Sequence, residues 1–133
     1  MVNIDWKNLS FGYVKTNYNV RCYYRNGKWG KLEISSSEQV SMHMAATCLH
    51  YGQAAFEGLK CYRGADNKVR IFRWIENFKR LQSSAETIML APVPEEIFKE
   101  ACWKAVQLNS EFIPPYGSGG TLYLRPLLIG TGE

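Results

Sequence analysis

The chain has 133 residues, 46% of them hydrophobic and 21% charged, which suits a single soluble globular domain able to bury a core. Its net charge of +4 is modest and its Lys and Arg residues are scattered, with only Lys28 and Lys31 or Lys79-Arg80 close together. The concentrated basic face of a nucleic-acid binder is therefore not expected despite 14% aromatics, and no apolar run reaches the 18 residues of a membrane-spanning helix.

Residues 1–19 read as irregular. Val20 to Arg25 reads as a strand, Asn26-Gly27 as a hairpin turn because both positions tolerate positive φ, and Lys28 to Ile34 as the returning strand. Ser35 to Glu38 is a polar loop, and Val40 to Met44 a candidate short strand. Cys48 to Phe56 is apolar and Ala-rich, a short helix, with Gly58 placed to end it in the left-handed conformation. Leu59 to Arg63 and Lys68 to Phe72 form a second hairpin across Gly64-Ala65-Asp66-Asn67.

Phe78, Leu81, Ala85 and Ile88 recur at helical spacing, predicting a helix from about Ile75 to Met89. After Pro92 and Pro94, Glu95 and Glu96 favour a second first turn, and Ile97, Ala101, Ala105, Leu108 and Phe112 carry its apolar stripe. Pro114 to Gly120 is a loop. Thr121 to Ile129 is an apolar strand, buried apart from Arg125. Hairpins first, then two amphipathic helices and a returning strand predict an α+β domain with a mostly antiparallel sheet. No G-x-G-x-x-G or P-loop follows a strand.

Cys22, Cys48, Cys61 and Cys102 form no C-x-x-C pair and have no His at ligand spacing. No metal site is expected, and reduced thiols in a cytoplasmic protein are the simplest account. Residues Met1 to Trp6 lack the basic and apolar regions of a secretory signal. His43 and His50 have no catalytic neighbour at useful spacing and read as structural.

Five positions carry alternatives. Arg73, between a strand and a helix, is either a solvated partner of Glu76 or a rigid fork for a phosphate dianion. Tyr51 and Phe56 are core aromatics or pocket walls, and their spacing of five does not place them on one helix face. Tyr123 and Arg125 share one face of a strand, and Arg125 must find a partner such as Glu57 or face a cavity.

Leu49-His50-Tyr51-Gly52-Gln53-Ala54-Ala55-Phe56-Glu57-Gly58-Leu59-Lys60, then Val69-Arg70-Ile71-Phe72-Arg73, then Tyr123-Leu124-Arg125-Pro126 stand in fixed order. Together, from about Phe11 to Glu133, they resemble the N-terminal third of branched-chain amino acid aminotransferases, fold-type-IV enzymes that use pyridoxal 5'-phosphate. The resemblance implies the small N-terminal domain of that fold over residues 1–133. It implies that Arg73 binds the cofactor phosphate. Phe11, Tyr51, Phe56 and Tyr123 would line the pocket for the aliphatic side chain, Tyr51 reaching across a homodimer, and Arg125 would accept the second carboxylate of glutamate. Trp74 and Ile75 depart from members with a proline there.

The implied reaction is amino transfer between Leu, Ile or Val and 2-oxoglutarate, with amino acids and 2-oxo acids as partners and neither nucleic acid nor membrane. No lysine here resembles the family's Schiff-base lysine, which is expected in a C-terminal domain beyond Glu133. The chain alone is expected to fold at least in part, self-associate and not transaminate, and its end reads as a domain boundary. D-amino acid transaminases and aminodeoxychorismate lyases of the same fold group are alternatives, expected to lack these motifs. A non-catalytic binding module reusing the domain is another.

Overall fold

The computed structural model describes residues 4–9 and 12–133. Four short strands build a twisted ribbon: β1 (Asn19–Arg21), β2 (Tyr24–Arg25), β3 (Lys28–Trp29) and β4 (Glu33–Ser35), with β2 against β3 and β1 against β4. The turn is the expected one, with φ of 52° at Asn26 and 77° at Gly27, matching the twist of the strands it joins. The strands are not continuous as predicted. Tyr24 pairs with Trp29 but Arg21 with Glu33, so Cys22 and Tyr23 face three residues, Gly30 to Leu32. The surplus residue forms a bulge, spanned by the Gly30 N–H donating to Tyr23 O at 2.8 Å.

No element forms over Val40 to Met44. The predicted helix from Cys48 to Phe56 shrinks to one turn, α1 (Thr47–His50), and Ala54–Phe56 is instead strand β5. Gly52, at φ 64°, turns the chain between them. The Ala-rich segment becomes a strand because it has an antiparallel partner, β9 (Leu127–Ile129), with Ala55 opposite Leu128. Tertiary pairing overrides the local helical preference of alanine.

The second hairpin forms as predicted, β6 (Leu59–Arg63) with β7 (Val69–Ile71), and β6 also pairs with β8 (Leu122–Leu124), giving a three-stranded antiparallel sheet ordered β7-β6-β8. The last predicted strand is thus split at Arg125-Pro126, one half joining β6 and the other β5. It is also less buried than expected: Leu124 is in the core, but Leu127 is 59% exposed. Proline cannot donate to a ladder, so the chain changes partner there.

Both long helices form: α2 (Trp74–Thr87) and α3 (Glu95–Leu108). The apolar stripe of α3 continues to Phe112, but the α-helix stops at Asn109 and a 3₁₀ turn, Ser110–Phe112, takes over. Buried Asn109 bonds Ala105 O and Tyr18 O through its amide and receives the Asn17 and Tyr18 N–H groups on Oδ1. It pins the N-terminal segment to the end of α3. Leu59, Cys61, Ile71 and Leu124 on one sheet face pack against Leu81 of α2 and Phe98, Cys102 and Val106 of α3, with Ile113 closing the end. Each large apolar side chain so buried contributes about 1.5–3 kcal/mol. The architecture is α+β with antiparallel sheets.

Candidate active site

Strand alternation that sends Leu59, Cys61 and Leu124 into the core sends Lys60 and its register partner Tyr123 to the other face. On the β5–β9 pair, Ala55 and Leu128 pack against the core while the opposed residues Phe56 and Leu127 face outward. Phe56, Phe72, Tyr123 and Leu127 are 60%, 56%, 50% and 59% exposed. An open sheet face carrying this much apolar surface is built to meet something.

Arg125 gathers two other predicted residues there, Phe56 and Tyr123. Its guanidinium carbon lies 4.3 Å from the Phe56 ring centroid and 5.1 Å from that of Tyr123, within cation–π range. Its Nη2 is 3.4 Å from the Tyr123 hydroxyl, a weak hydrogen bond. Arg125 has no carboxylate partner among the described residues. The alternative partner, Glu57, is engaged elsewhere. Gly58 does not take the left-handed conformation expected of a helix cap. It is needed for close approach, because a Cβ there would stand 2.0 Å from the Tyr123 hydroxyl.

Arg73 sits where β7 hands over to α2. Its backbone is left-handed at φ 46°, ψ 42°, and α2 has no side-chain cap. That conformation is costly for an arginine and points to a functional constraint. The side chain is exposed and makes no hydrogen bond or ion pair among the described residues. Glu76, its alternative partner, lies 3.5 Å from Lys79 instead. The Phe72 N–H donates to Lys60 O at 2.9 Å, so the β6–β7 pairing runs one residue past Ile71 before the chain turns left-handed at Arg73. β6 lies between β7 and β8, so two strand spacings, about 10 Å, separate the strand that leads into Arg73 from the one that leads into Arg125. A free guanidinium beside uncapped helix amides fits a phosphate dianion.

Tyr51 is not in this cluster. It is 83% exposed, contacts the His50 ring at 6.3 Å, and borders a shallow depression of about 350 Å³ with Thr47, Gly52, Gln53 and Ile88. Phe11 lies outside the described residues. His43 Nδ1 accepts the Ala45 N–H, and His50 Nε2 lies 2.9 Å from Met44 O. Among the described residues no three His, Cys, Asp or Glu side chains cluster to hold a metal, and no helix is long and apolar enough to cross a membrane.

From the sequence, Glu57 stands out only as a candidate partner of Arg125. Its carboxylate is 3% exposed and receives Arg80 Nε at 2.7 Å, Arg80 Nη2 at 2.6 Å and Asn77 Nδ2 at 2.8 Å. Burial pushes its pKa up, but the Arg80 guanidinium and Asn77 amide outweigh that and hold it below the ordinary carboxylate value. The only signal in the sequence was the three-residue spacing of Asn77 and Arg80 on a helix face.

No family model matches the chain. It is 44% identical over all 133 residues to the branched-chain-amino-acid aminotransferase of Haemophilus influenzae, of which it spans 39%. Among solved structures, the Escherichia coli branched-chain amino acid aminotransferase superposes with a TM-score of 0.65 at 26% identity, over 88% of this chain and 33% of that one. A second solved branched-chain amino acid aminotransferase, from T.th. and complexed with N-(5'-phosphopyridoxyl)-L-glutamate, gives 0.63 at 26% identity, over 90% of this chain and 35% of that one. The fold is therefore the α+β fold that makes up about a third of a branched-chain aminotransferase. The chain itself is a homologue of the branched-chain-amino-acid aminotransferases and spans well under half the length of the relative it matches.

Proposed function

We propose that this chain is one domain, residues 1–133, of a pyridoxal 5'-phosphate-dependent aminotransferase that moves the amino group between Leu, Ile or Val and 2-oxoglutarate. The observation carrying this reading is the unpaired, left-handed Arg73 at the same end of the sheet as the Phe56–Tyr123–Arg125 cluster. Bound pyridoxal phosphate supplies the electron sink for amino transfer. The lysine that attaches it belongs to a domain outside these 133 residues, so the chain alone does not turn over.

Arg73 and the first amides of α2 would hold the cofactor phosphate. Phe56 and Tyr123 wall the space for an aliphatic side chain, where each buried methylene contributes about 0.8 kcal/mol. Arg125 handles the other substrate class. Against an apolar side chain it stays over the two rings; when glutamate enters, it offers a donor fork to the second carboxylate. A guanidinium resting on ring faces rather than on a carboxylate is free to make that exchange. Tyr51, exposed and remote from the cluster, reaches the equivalent site of a second copy in a homodimer. The free cysteines suit a cytoplasmic setting.

The test is Arg73→Ala in the enzyme that contains this chain. Loss of a charge-assisted contact of about 1.5–3 kcal/mol lowers pyridoxal phosphate affinity roughly ten- to a hundredfold, measured by titrating the apoenzyme. Wild-type affinity in the variant refutes the assignment.

A further inference from the structure

We infer that Glu57 is a positioning residue that sets the separation between the phosphate anchor and the substrate cluster; this rests on the function proposed above. Glu57 follows Phe56 and precedes Gly58, the residue under the Tyr123 phenol. Its N–H donates to Pro126 O at 2.9 Å, tying it to the residue after Arg125. Every side-chain donor to its carboxylate comes from α2: the Arg80 fork and the Asn77 amide. Asn77 also donates to Gly58 O at 3.2 Å. One residue thus joins the β5–β6 corner, the β8–β9 link and α2.

The gripped turns of α2 follow directly on Arg73, the left-handed residue before its first turn. Asn77 and Arg80 are three apart, on one stripe of the α-helix. While Asn77 and Arg80 are held, the helix can neither slide nor turn about its axis, and the left-handed residue that leads into it is held with it. A stability role alone explains the arrangement poorly, because an ion pair whose arginine is largely exposed contributes little. A bidentate fork with a second donor on the same carboxylate instead fixes distance and angle.

The experiment compares Glu57→Gln, Arg80→Lys and, as a core control of similar destabilisation away from the junction, Val106→Ala. Arg80 is 68% exposed as a side chain, so Arg80→Lys keeps a folded protein in hand if Glu57→Gln does not fold. In the 133-residue chain, both junction variants should shift the backbone amide resonances of Phe72, Arg73 and Tyr123, and the control should leave them in place. In the enzyme containing the chain, the ratio of affinities for pyridoxal phosphate over pyridoxal, which lacks the phosphate, should fall about tenfold in the junction variants and hold in the control. Unmoved Arg73 and Tyr123 resonances, or a wild-type ratio in both junction variants while Arg73→Ala lowers it, overturn the inference. If the resonances move but Arg73→Ala leaves the ratio unchanged, the phosphate assignment fails and the positioning of Arg73 by Glu57 stands.

Discussion

Gly58→Ala offers a sharp test of the site geometry. A methyl group at this position would meet the Tyr123 hydroxyl at 2.0 Å, Cζ at 2.7 Å and Cε2 at 3.0 Å. Reaching an ordinary contact of 3.4 Å requires the hydroxyl to retreat by about 1.4 Å. Tyr123 is 50% exposed, so the ring swings toward solvent instead of crushing the core. The loss is its packing over the corner and its contact with Arg125, about 1–2 kcal/mol together. Alanine's backbone is unstrained at this φ, and its smaller unfolded-state entropy returns about 0.4–1 kcal/mol. The net cost is therefore about 1 kcal/mol, read from urea denaturation followed by tryptophan fluorescence. In a Tyr123→Ala background the clash is gone, and Gly58→Ala should be neutral or slightly stabilising. The same cost in both backgrounds would refute the contact. In the enzyme, displacing Tyr123 by an ångström or more should lower kcat/KM about a hundredfold, out of proportion to the stability change.

Arg125→Leu should depress kcat/KM for glutamate more than for leucine, since only glutamate brings a second carboxylate; equal losses would make the arginine structural. Because the folded pKa of Glu57 is depressed, its stabilising contribution is complete above the unfolded value of about 4.3 and is lost as pH falls through the lower folded value. The stability difference between wild type and Glu57→Gln should thus be flat from pH 5 to 8 and shrink below about pH 4.3, and a difference that widens on acidification contradicts the buried pairing. Burial pushes the Cys61 thiol to about 11 and that of Cys102 to about 12. Iodoacetamide at about pH 8 should label Cys22 and Cys48 in the native chain and reach the other two only after unfolding, as peptide mass spectrometry would record; native labelling of Cys102 would place it outside the core.

Local rules were enough wherever an element's cause lay within it. Asn26-Gly27 required a turn with positive φ and formed one. The stripes of α2 and α3 were visible because 3.6-residue periodicity is a property of the segment alone, and the Gly64–Asn67 turn likewise fixed its hairpin. Arg73 could be placed between a strand and a helix from the segment alone, and only the family resemblance gave it a phosphate to bind.

Partnership across the chain was not legible. Ala54-Ala55-Phe56 has helical composition, yet becomes a strand because Leu127 to Ile129, more than seventy positions later, offers an edge. The apolar run ending at Ile129 reads as one strand, but Pro126 cannot donate a hydrogen bond and its halves join different neighbours. Gly58 looks like a helix cap until the Tyr123 ring is placed above it. In the sequence Glu57 reads as a partner for Arg125. Only the docking of α2 across the β5–β6 corner gave it Arg80, leaving Arg125 over the faces of Phe56 and Tyr123.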